Sequence, residues 1–185
     1  MKLKKFNFKT VNSTNDAAIR IIKKTNYKFG IIVAETQKKG RGQYGKKWIS
    51  YKGNLFISIF FLLDKINLSI SKLTKINCLL VKKILSEYSK KKILIKPPND
   101  LLINKKKICG ILQEIISKRG KSYLIVGIGI NMIKNPNIKN YPTTNLIENT
   151  NSKIMKHSII YKIKKLYENF IPKMMKISFK TMNKI

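Results

Sequence analysis

The sequence predicts an α+β domain built on a mostly antiparallel mixed sheet flanked by helices. Three observations predict it. Apolar residues recur at helical spacing in three well-separated stretches. Short β-branched and aromatic runs lie between them, and tight polar turns join several of those runs. The 185 residues suit one domain, a size at which about two-thirds of the unfolded surface is buried on folding. The 43% apolar content agrees with a folded core.

The elements follow in order. Ser13 and Thr14 are cap-type residues before Ala17, Ala18, Ile21 and Ile22, so a helix is expected from Asn15 to Lys24. Gly30–Glu35 is a short apolar run and reads as a buried strand. A polar, glycine-rich loop follows to Lys47, and Asn54–Leu62 reads as the next strand. Leu73, Ile76, Leu80, Ile84 and Leu85 mark an amphipathic helix from Ser71 to Ser89. Ile93–Lys96 is a strand ended by Pro97-Pro98. Leu101–Ile103 and Ile108–Ile116 flank an Asn104–Lys107 turn and predict a hairpin. Arg119-Gly120 turns the chain into the strand Tyr123–Ile130, and a loop marked by Pro136 and Pro142 follows Asn131. A last helix is expected over Ile154–Phe170, with Pro172 just beyond it.

The net charge of +32 invites a nucleic-acid reading. Only Arg20, Arg41 and Arg119 among the 40 basic residues are arginine. The rest is lysine spread along the whole chain, with abundant isoleucine and asparagine, as drift toward A- and T-rich codons produces. Nucleic-acid readers favour arginine for bidentate contacts, so the charge is not read as a DNA-binding signature. Cys78 and Cys109 lack metal or disulfide spacing. The N-terminus has no apolar signal segment, and the longest apolar run, Leu55–Leu63, is too short to span a bilayer. A cytoplasmic location is expected, which leaves the Asn12-Ser13-Thr14 sequon without meaning.

Gly40-Arg-Gly-Gln-Tyr-Gly45 fits the G-x-G-x-x-G pattern, and with Lys46 it nearly fits a P-loop. Both motifs need a helix directly afterwards to meet the phosphates. Here Lys46-Lys47-Trp48 and then a strand follow, so both readings fail on context. The chemistry still suits an anion, since glycines allow close backbone approach and Arg41, Lys46 and Lys47 supply charge.

Three further segments accompany the loop: Ser13-Thr14-Asn15; Lys96-Pro-Pro-Asn-Asp-Leu101 with Lys107-Ile-Cys-Gly-Ile-Leu112; and Gly127-Ile-Gly-Ile-Asn131. The loop itself reads Glu35-Thr-Gln-Lys-Lys-Gly-Arg-Gly-Gln-Tyr-Gly-Lys-Lys-Trp48. In this order and spacing they resemble the catalytic domain of biotin protein ligases over Phe8–Met132. The resemblance implies the class II synthetase-like fold of the biotin/lipoate ligases, filling residues 1–170 with a short tail over 171–185. No N-terminal helix-turn-helix and no full C-terminal β-barrel domain are expected.

The resemblance also implies an ATP-dependent, two-step chemistry. Biotin's carboxylate attacks the α-phosphate of ATP with Mg2+ to give biotinyl-adenylate, and a lysine of the biotin carboxyl carrier protein of acetyl-CoA carboxylase then takes the acyl group. By the same resemblance Ser13, Thr14 and Asn15 line the ligand pocket and Gln37 bonds the biotin side. Gly40, Arg41, Gly42 and Gln43 form a lid backed by Trp48, with Arg41 pairing to the carboxylate or phosphate. Lys107 approaches the reacting oxygens. Gly110 and Gly129 let backbone near biotin, and Asn131 faces the adenine. Asn99 and Asp100 serve the metal or the incoming amine, with Asp100 the expected magnesium ligand. A monomer or a homodimer fits the resemblance, and no specific DNA binding is expected.

Two positions depart from the family pattern. Gln43 stands where a second arginine is usual, which predicts weaker retention of the adenylate. Pro97 stands where tryptophan is usual. Lipoate or octanoate ligation on the same fold is the alternative chemistry, but no R-R-x-x-G-G-G-x-V-x-H-D segment is present, and the one histidine, His157, lies late in the chain. A basic nucleic-acid-binding protein and a ligase that no longer turns over are the remaining readings.

Overall fold

The computed structural model describes residues 1–63, 66, 68–150 and 154–182, with side chains described as far as 175. The strands are β1 (Lys4–Val11), β2 (Phe29–Gln37), β3 (Leu55–Leu62), β4 (Ile93–Lys96), β5 (Asp100–Ile103), β6 (Lys106–Lys118) and β7 (Lys121–Ile130). The helices are α1 (Thr14–Lys24), α2 (Ile70–Ser86) and α3 (Lys156–Met182). One sheet orders the strands β1-β2-β3-β7-β6-β5-β4. Only β1 and β2 run parallel; every other neighbouring pair is antiparallel. The α+β expectation therefore holds.

Alternation along the central strands divides the apolar residues between two layers. Leu55, Ile57, Ile59 and Phe61 of β3, with Leu124, Val126, Ile128 and Ile130 of β7, face a core shared with α2 and α3. Ile32, Ala34, Phe60, Tyr123 and Ile125 face the smaller core under α1, which supplies Ala17, Ala18 and Ile22. Between α2 and α3, the buried Tyr167 hydroxyl donates to Asn77 Oδ1 at 2.7 Å. Cys78 and Cys109 are buried free thiols. Burial, with the nearby Asp100 charge, pushes the Cys78 thiol up to about 11, so it is a packing group and not a nucleophile. Among the described residues no helix is long and apolar enough to cross a membrane.

The sheet extends one strand further than the sequence reading reached. Phe6, Phe8 and Thr10 alternate with Lys5, Asn7 and Lys9 in β1, and the lysines on this half-exposed edge hide the period. The first hairpin turn is tighter than the expected Asn104–Lys107, and the second is the expected Arg119-Gly120. Asn104 and Lys105 have φ of 49° and 62°, and Arg119 and Gly120 have 48° and 70°. These are two-residue turns whose left-handed conformation matches strand twist, so β6 begins at Lys106 and runs to Lys118. α2 starts on Ser69, whose hydroxyl caps the Lys72 N–H, and stops at Ser86, three residues short of the expected end.

The last helix corrects the sequence reading most. It does not end at Phe170 but passes through Pro172 to Met182, so the described part of the expected 171–185 tail is helical; 183–185 lie outside the described residues. An internal proline costs about 3 kcal/mol. Ile171 and Met174 are buried on the α2–α3 core, and each such side chain contributes about 1.5–3 kcal/mol. Burial therefore carries the helix past the proline.

Glu168 ties α3 to the chain's start by accepting the Leu3 N–H at 2.8 Å. Burial pushes its carboxyl up, but hydrogen bonds from Lys164 and Leu3 and the charges of Lys164 and Lys165 outweigh that and hold it below the usual range. A depressed carboxylate stabilises the fold above the unfolded value of about 4.3 and ceases to do so as pH falls through the lower folded value. Glu168→Gln is thus expected to cost about 1–2 kcal/mol at pH 7, a difference that shrinks on acidification through that window. Urea unfolding of both proteins across that pH series checks it; a pH-independent difference contradicts the ionic account.

Candidate active site

The floor of the site is set by strand register. Side chains of residues paired across a sheet share a face. One row runs Ala34, Phe56, Gly129, Gly110 and Asp100 across five strands. The next runs Ile32, Ser58, Gly127 and Leu112. Both rows lie on the α1 face, where the absent side chains of three glycines leave a hollow beyond the helix N-terminus. It opens into a cavity of about 830 Å³ lined, among others, by Ser13, Asn15, Trp48, Asp100, Lys107 and Asn131.

A bulge places Lys107 on this face. Leu102 pairs with Lys107 but Leu101 pairs with Cys109, so β6 carries Ile108 as an extra residue. Residues three apart on a regular strand face opposite ways; the extra residue re-aims Lys107 to the side of Gly110. The Lys107 ammonium lies 2.8 Å from Asp100 Oδ1 and 5.3 Å from the Trp48 ring centre. The Asp100 contact is electrostatic and not directed, for Oδ1 is buried without an aligned donor.

The N-terminus of α1 forms one wall. Ser13 caps the helix by accepting the Asn15 and Asp16 N–H groups. The Thr14 N–H and hydroxyl donate to Gln37 Oε1 at 2.8 and 3.2 Å. Ser58, buried in the floor, lies 2.7 Å from Thr14 Oγ1 and 2.5 Å from Asn15 Oδ1. Asn15 Nδ2 donates to Glu114 Oε2 at 2.6 Å. A Cβ on Gly127 would overlap Asn15 Oδ1, which is why this floor position is glycine.

The glycine-arginine loop is a small hairpin folded over the floor. Its base is the Trp48 N–H to Gly40 carbonyl bond of 2.9 Å, its middle the Gly42 N–H to Lys46 carbonyl bond of 2.6 Å. No helix follows; a single 3-10 turn, Gln43–Gly45, makes the tip. Tyr44 sits there at φ 54° and 90% exposed. Arg41 pins the loop down, its guanidinium 2.8 Å from Asp16 and 2.9 Å from Glu114. Trp48 lies flat on the floor, so close that a Cβ on Gly129 would stand 2.5 Å from its Cε2.

The far wall is the segment after β7. Asn131 is buried, with Nδ2 donating to the Thr144 carbonyl at 3.1 Å. The Tyr141 hydroxyl donates to Asp100 Oδ2 at 2.6 Å. Burial first, then that hydrogen bond and the Asp100 charge, push the Tyr141 phenol well above its ordinary value, so it is a donor only. Asn99 braces the approach to β5: its Nδ2 donates to the Ile111 carbonyl at 2.7 Å, and its carbonyl accepts the Ile111 N–H at 3.0 Å.

The structure thus gathers the predicted site residues at one cavity, with Gly40 set back at the loop base, against Ser50 and Gln37. Sequence reading missed Ser58, Glu114, Asp16 and Tyr141. The first three sit in register with, or beside, predicted residues; Tyr141 lies in an irregular segment that carries no periodic signal. Among the described residues, Trp48 Nε1 and Asn131 Oδ1 are buried polar atoms without hydrogen-bond partners, and both residues line this cavity, as does Asp100, whose Oδ1 meets the Lys107 ammonium. Such atoms are rare in folded proteins, and their convergence marks a place shaped for a polar ligand.

A model of the biotin/lipoate A/B protein ligase family matches residues 7–131. The chain belongs to that family. It is 34% identical to the bifunctional ligase/repressor BirA of Escherichia coli over 102 residues, 54% of this chain and 32% of that protein. The chain spans about a third of the length of the curated relatives it matches. The biotin protein ligase of Aquifex aeolicus in complex with biotin and ATP superposes with a TM-score of 0.78 at 30% identity, covering 96% of this chain and 74% of that one. Plasmodium falciparum LipL1 in complex with lipoate shares the fold, with a TM-score of 0.52 at 14% identity over 89% of this chain and 63% of that one.

Proposed function

We propose that this family member is an ATP-dependent biotin protein ligase that forms biotinyl-5'-adenylate and passes biotin to a lysine of the biotin carboxyl carrier protein of acetyl-CoA carboxylase. The convergence of two unpartnered buried polar atoms and the Lys107–Asp100 pair on a glycine-floored cavity carries the reading. Likeness to the Aquifex aeolicus enzyme, which holds biotin and ATP, supports biotin over lipoate, since the lipoate-bound relative is similar in fold alone. A cavity of about 830 Å³ lies within the span of cofactor sites, about 300–1,000 Å³. We place this activity in the cytoplasm.

A free carboxylate is a poor acyl donor, so the protein must hold two anions in line and keep water from the mixed anhydride. Lys107 supplies fixed positive charge to the oxygens that gain negative charge. Thr14, Asn15 and Gln37, with Ser58 bracing the first two from beneath, orient the acyl ligand, while Asn131 Oδ1 accepts from the nucleobase. Arg41 latches the lid through Asp16 and Glu114, and its guanidinium has to leave one carboxylate to meet an anionic ligand.

Magnesium fits this picture as a companion of the triphosphate, whose charge it offsets. Among the described residues no group of three His, Cys, Asp or Glu side chains could hold a metal ion. Asp100 is already engaged by Lys107 and Tyr141. We therefore assign Asp100 to the incoming amine and not to the metal. A carboxylate there is useful because an ammonium must lose a proton before it attacks.

Incubation with MgATP, carrier protein and either biotin or lipoate tests the proposal. Biotin-dependent labelling is expected, and labelling with lipoate alone refutes it. Free biotinyl-adenylate released during the same reaction tests Gln43. Release is expected to exceed that of Gln43→Arg several-fold, because a lid with an added guanidinium holds the adenylate phosphate more tightly. Equal release by the two proteins removes any role for position 43.

A further inference from the structure

Tyr141 is held where it is by the segment around it. The Lys107 N–H donates to the Pro142 carbonyl at 2.8 Å, and the Thr144 N–H donates back to the Lys107 carbonyl at 2.9 Å. Lys107 and Thr143 form a parallel bridge. Asn135 Nδ2 reaches Thr143 Oγ1 at 3.0 Å and its carbonyl at 3.2 Å. The Tyr141 ring is thereby fixed between two ammonium groups, 4.2 Å from Lys96 and 5.5 Å from Lys107. Its hydroxyl is spent on Asp100 Oδ2 at 2.6 Å.

The two Asp100 oxygens are therefore unlike. Oδ2 has a short, charge-assisted hydrogen bond from a phenol that can only donate. Oδ1 is buried, faces the Lys107 ammonium and lacks a directed donor. A half-turn of the carboxylate only exchanges equivalent oxygens; what the Tyr141 hydrogen bond fixes is the carboxylate plane, with one oxygen bound to the phenol and the other turned to Lys107.

We infer that Tyr141 is a positioning residue for the acyl-transfer step, holding Asp100 so that Oδ1 alone receives the ammonium of the acceptor lysine. The inference rests on the ligase proposal. Once an acyl-adenylate occupies the cavity, its phosphate draws the Lys107 ammonium away from Oδ1. The acceptor ammonium then gives one proton to Oδ1. Its nitrogen lone pair forms the amide bond to the acyl carbon, the bond from that carbon to the AMP oxygen breaks with its electron pair on AMP, and the second N–H proton passes to solvent. Adenylate formation needs no such acceptor, so Tyr141 bears on one half of the reaction more than on the other.

The test uses the whole protein, synthetic biotinyl-adenylate and two acceptors: biotin carboxyl carrier protein, whose lysine arrives protonated, and hydroxylamine, which is already unprotonated at neutral pH. Tyr141→Phe keeps the ring between the lysines and removes only the hydroxyl. The ratio of carrier to hydroxylamine transfer rates is expected to fall about tenfold. Asp100→Asn is expected to lower it at least as far, and Tyr141→Phe to lower it no further in the Asp100→Asn background. A merely structural role would slow both acceptors alike. An unchanged ratio, or a full further drop in the double variant, overturns the inference. Because the adenylate is supplied, a protein that fails to make it but transfers from it refutes the ligase proposal for the first step and still tests Tyr141. Wild-type protein that transfers to neither acceptor overturns both.

Discussion

Lys107→Met is expected to slow biotinyl-adenylate formation by about a thousandfold, the largest kinetic effect of any single replacement in this site. Methionine keeps the length of the stem that packs beside Gly110 and removes the charge. That charge is the one cation the bulge of β6 turns onto the glycine floor, where low dielectric multiplies its value at a forming phosphoanhydride oxygen. The change also strips Asp100 of its partner at 2.8 Å, and breaking this partly buried pair from one side destabilises by less than the ~3–5 kcal/mol of a fully buried one. The two effects separate cleanly. Lys107→Met combined with Asp100→Asn removes both charges, so thermal stability is expected to recover while adenylate formation stays slow. Pyrophosphate release in single turnover, read beside thermal unfolding, checks both. Lys107→Met within tenfold of wild type would remove Lys107 from the chemistry. Recovery of rate together with stability in the double variant would reduce it to a structural counter-ion.

How much of this was legible in the sequence depends on how local the signal is. The Ser13–Asn15 cap, the Gly40–Trp48 loop and the segments around Gly110 and Gly127–Gly129 are short runs of adjacent residues, so the resemblance they carry together could be recognised without knowing the sheet. The α+β class followed from periodicity for the same reason. What the sequence hid is set by pairing. Nothing in Lys106-Lys-Ile-Cys-Gly110 announces that Ile108 is the extra residue of a bulge, yet that bulge decides which lysine of a lysine-rich chain faces the site. Ser58 looks like an interruption of an apolar strand until its row-mate Gly127 and Asn15 Oδ1 above it are seen. Tyr141 belongs to a proline-bounded loop, and only the Lys107–Thr143 bridge brings it to Asp100. β1 was lost for a different reason: an edge strand needs little apolar surface, and here the lysines on its exposed side carry the composition. Pro172 misled because a local rule yields to the burial of Ile171 and Met174 on either side.

Gly129→Ala is expected to weaken biotin binding by about a hundredfold or more while leaving the fold intact. The new methyl would stand 2.5 Å from Trp48 Cε2 and 2.9 Å from its Nε1, well inside van der Waals contact. Either the indole leaves the floor and disturbs the closed loop, since the backbone N–H of the same residue closes the Gly40 base, or β7 shifts and the row from Phe56 to Asp100 shifts with it. The strand conformation itself suits alanine, because the left-handed glycines are Gly45, Gly53 and Gly120 and not Gly129. Gly120→Ala supplies the opposite case. Nothing lies within 4 Å of its Cβ position, but its φ is +70°, so it should cost about 1 kcal/mol of stability and leave ligand binding alone. Trp48 is the sole tryptophan, so its emission reports the floor directly. A red shift in Gly129→Ala, absent from Gly120→Ala, is expected beside the loss of biotin affinity measured by calorimetry. Normal affinity with unshifted emission in Gly129→Ala would mean that the indole does not rest on this glycine, and the account of the floor would fail with it. The contrast separates two reasons for glycine in one strand pair. At position 120 the backbone needs it, and at position 129 the neighbouring ring and the proposed ligand do.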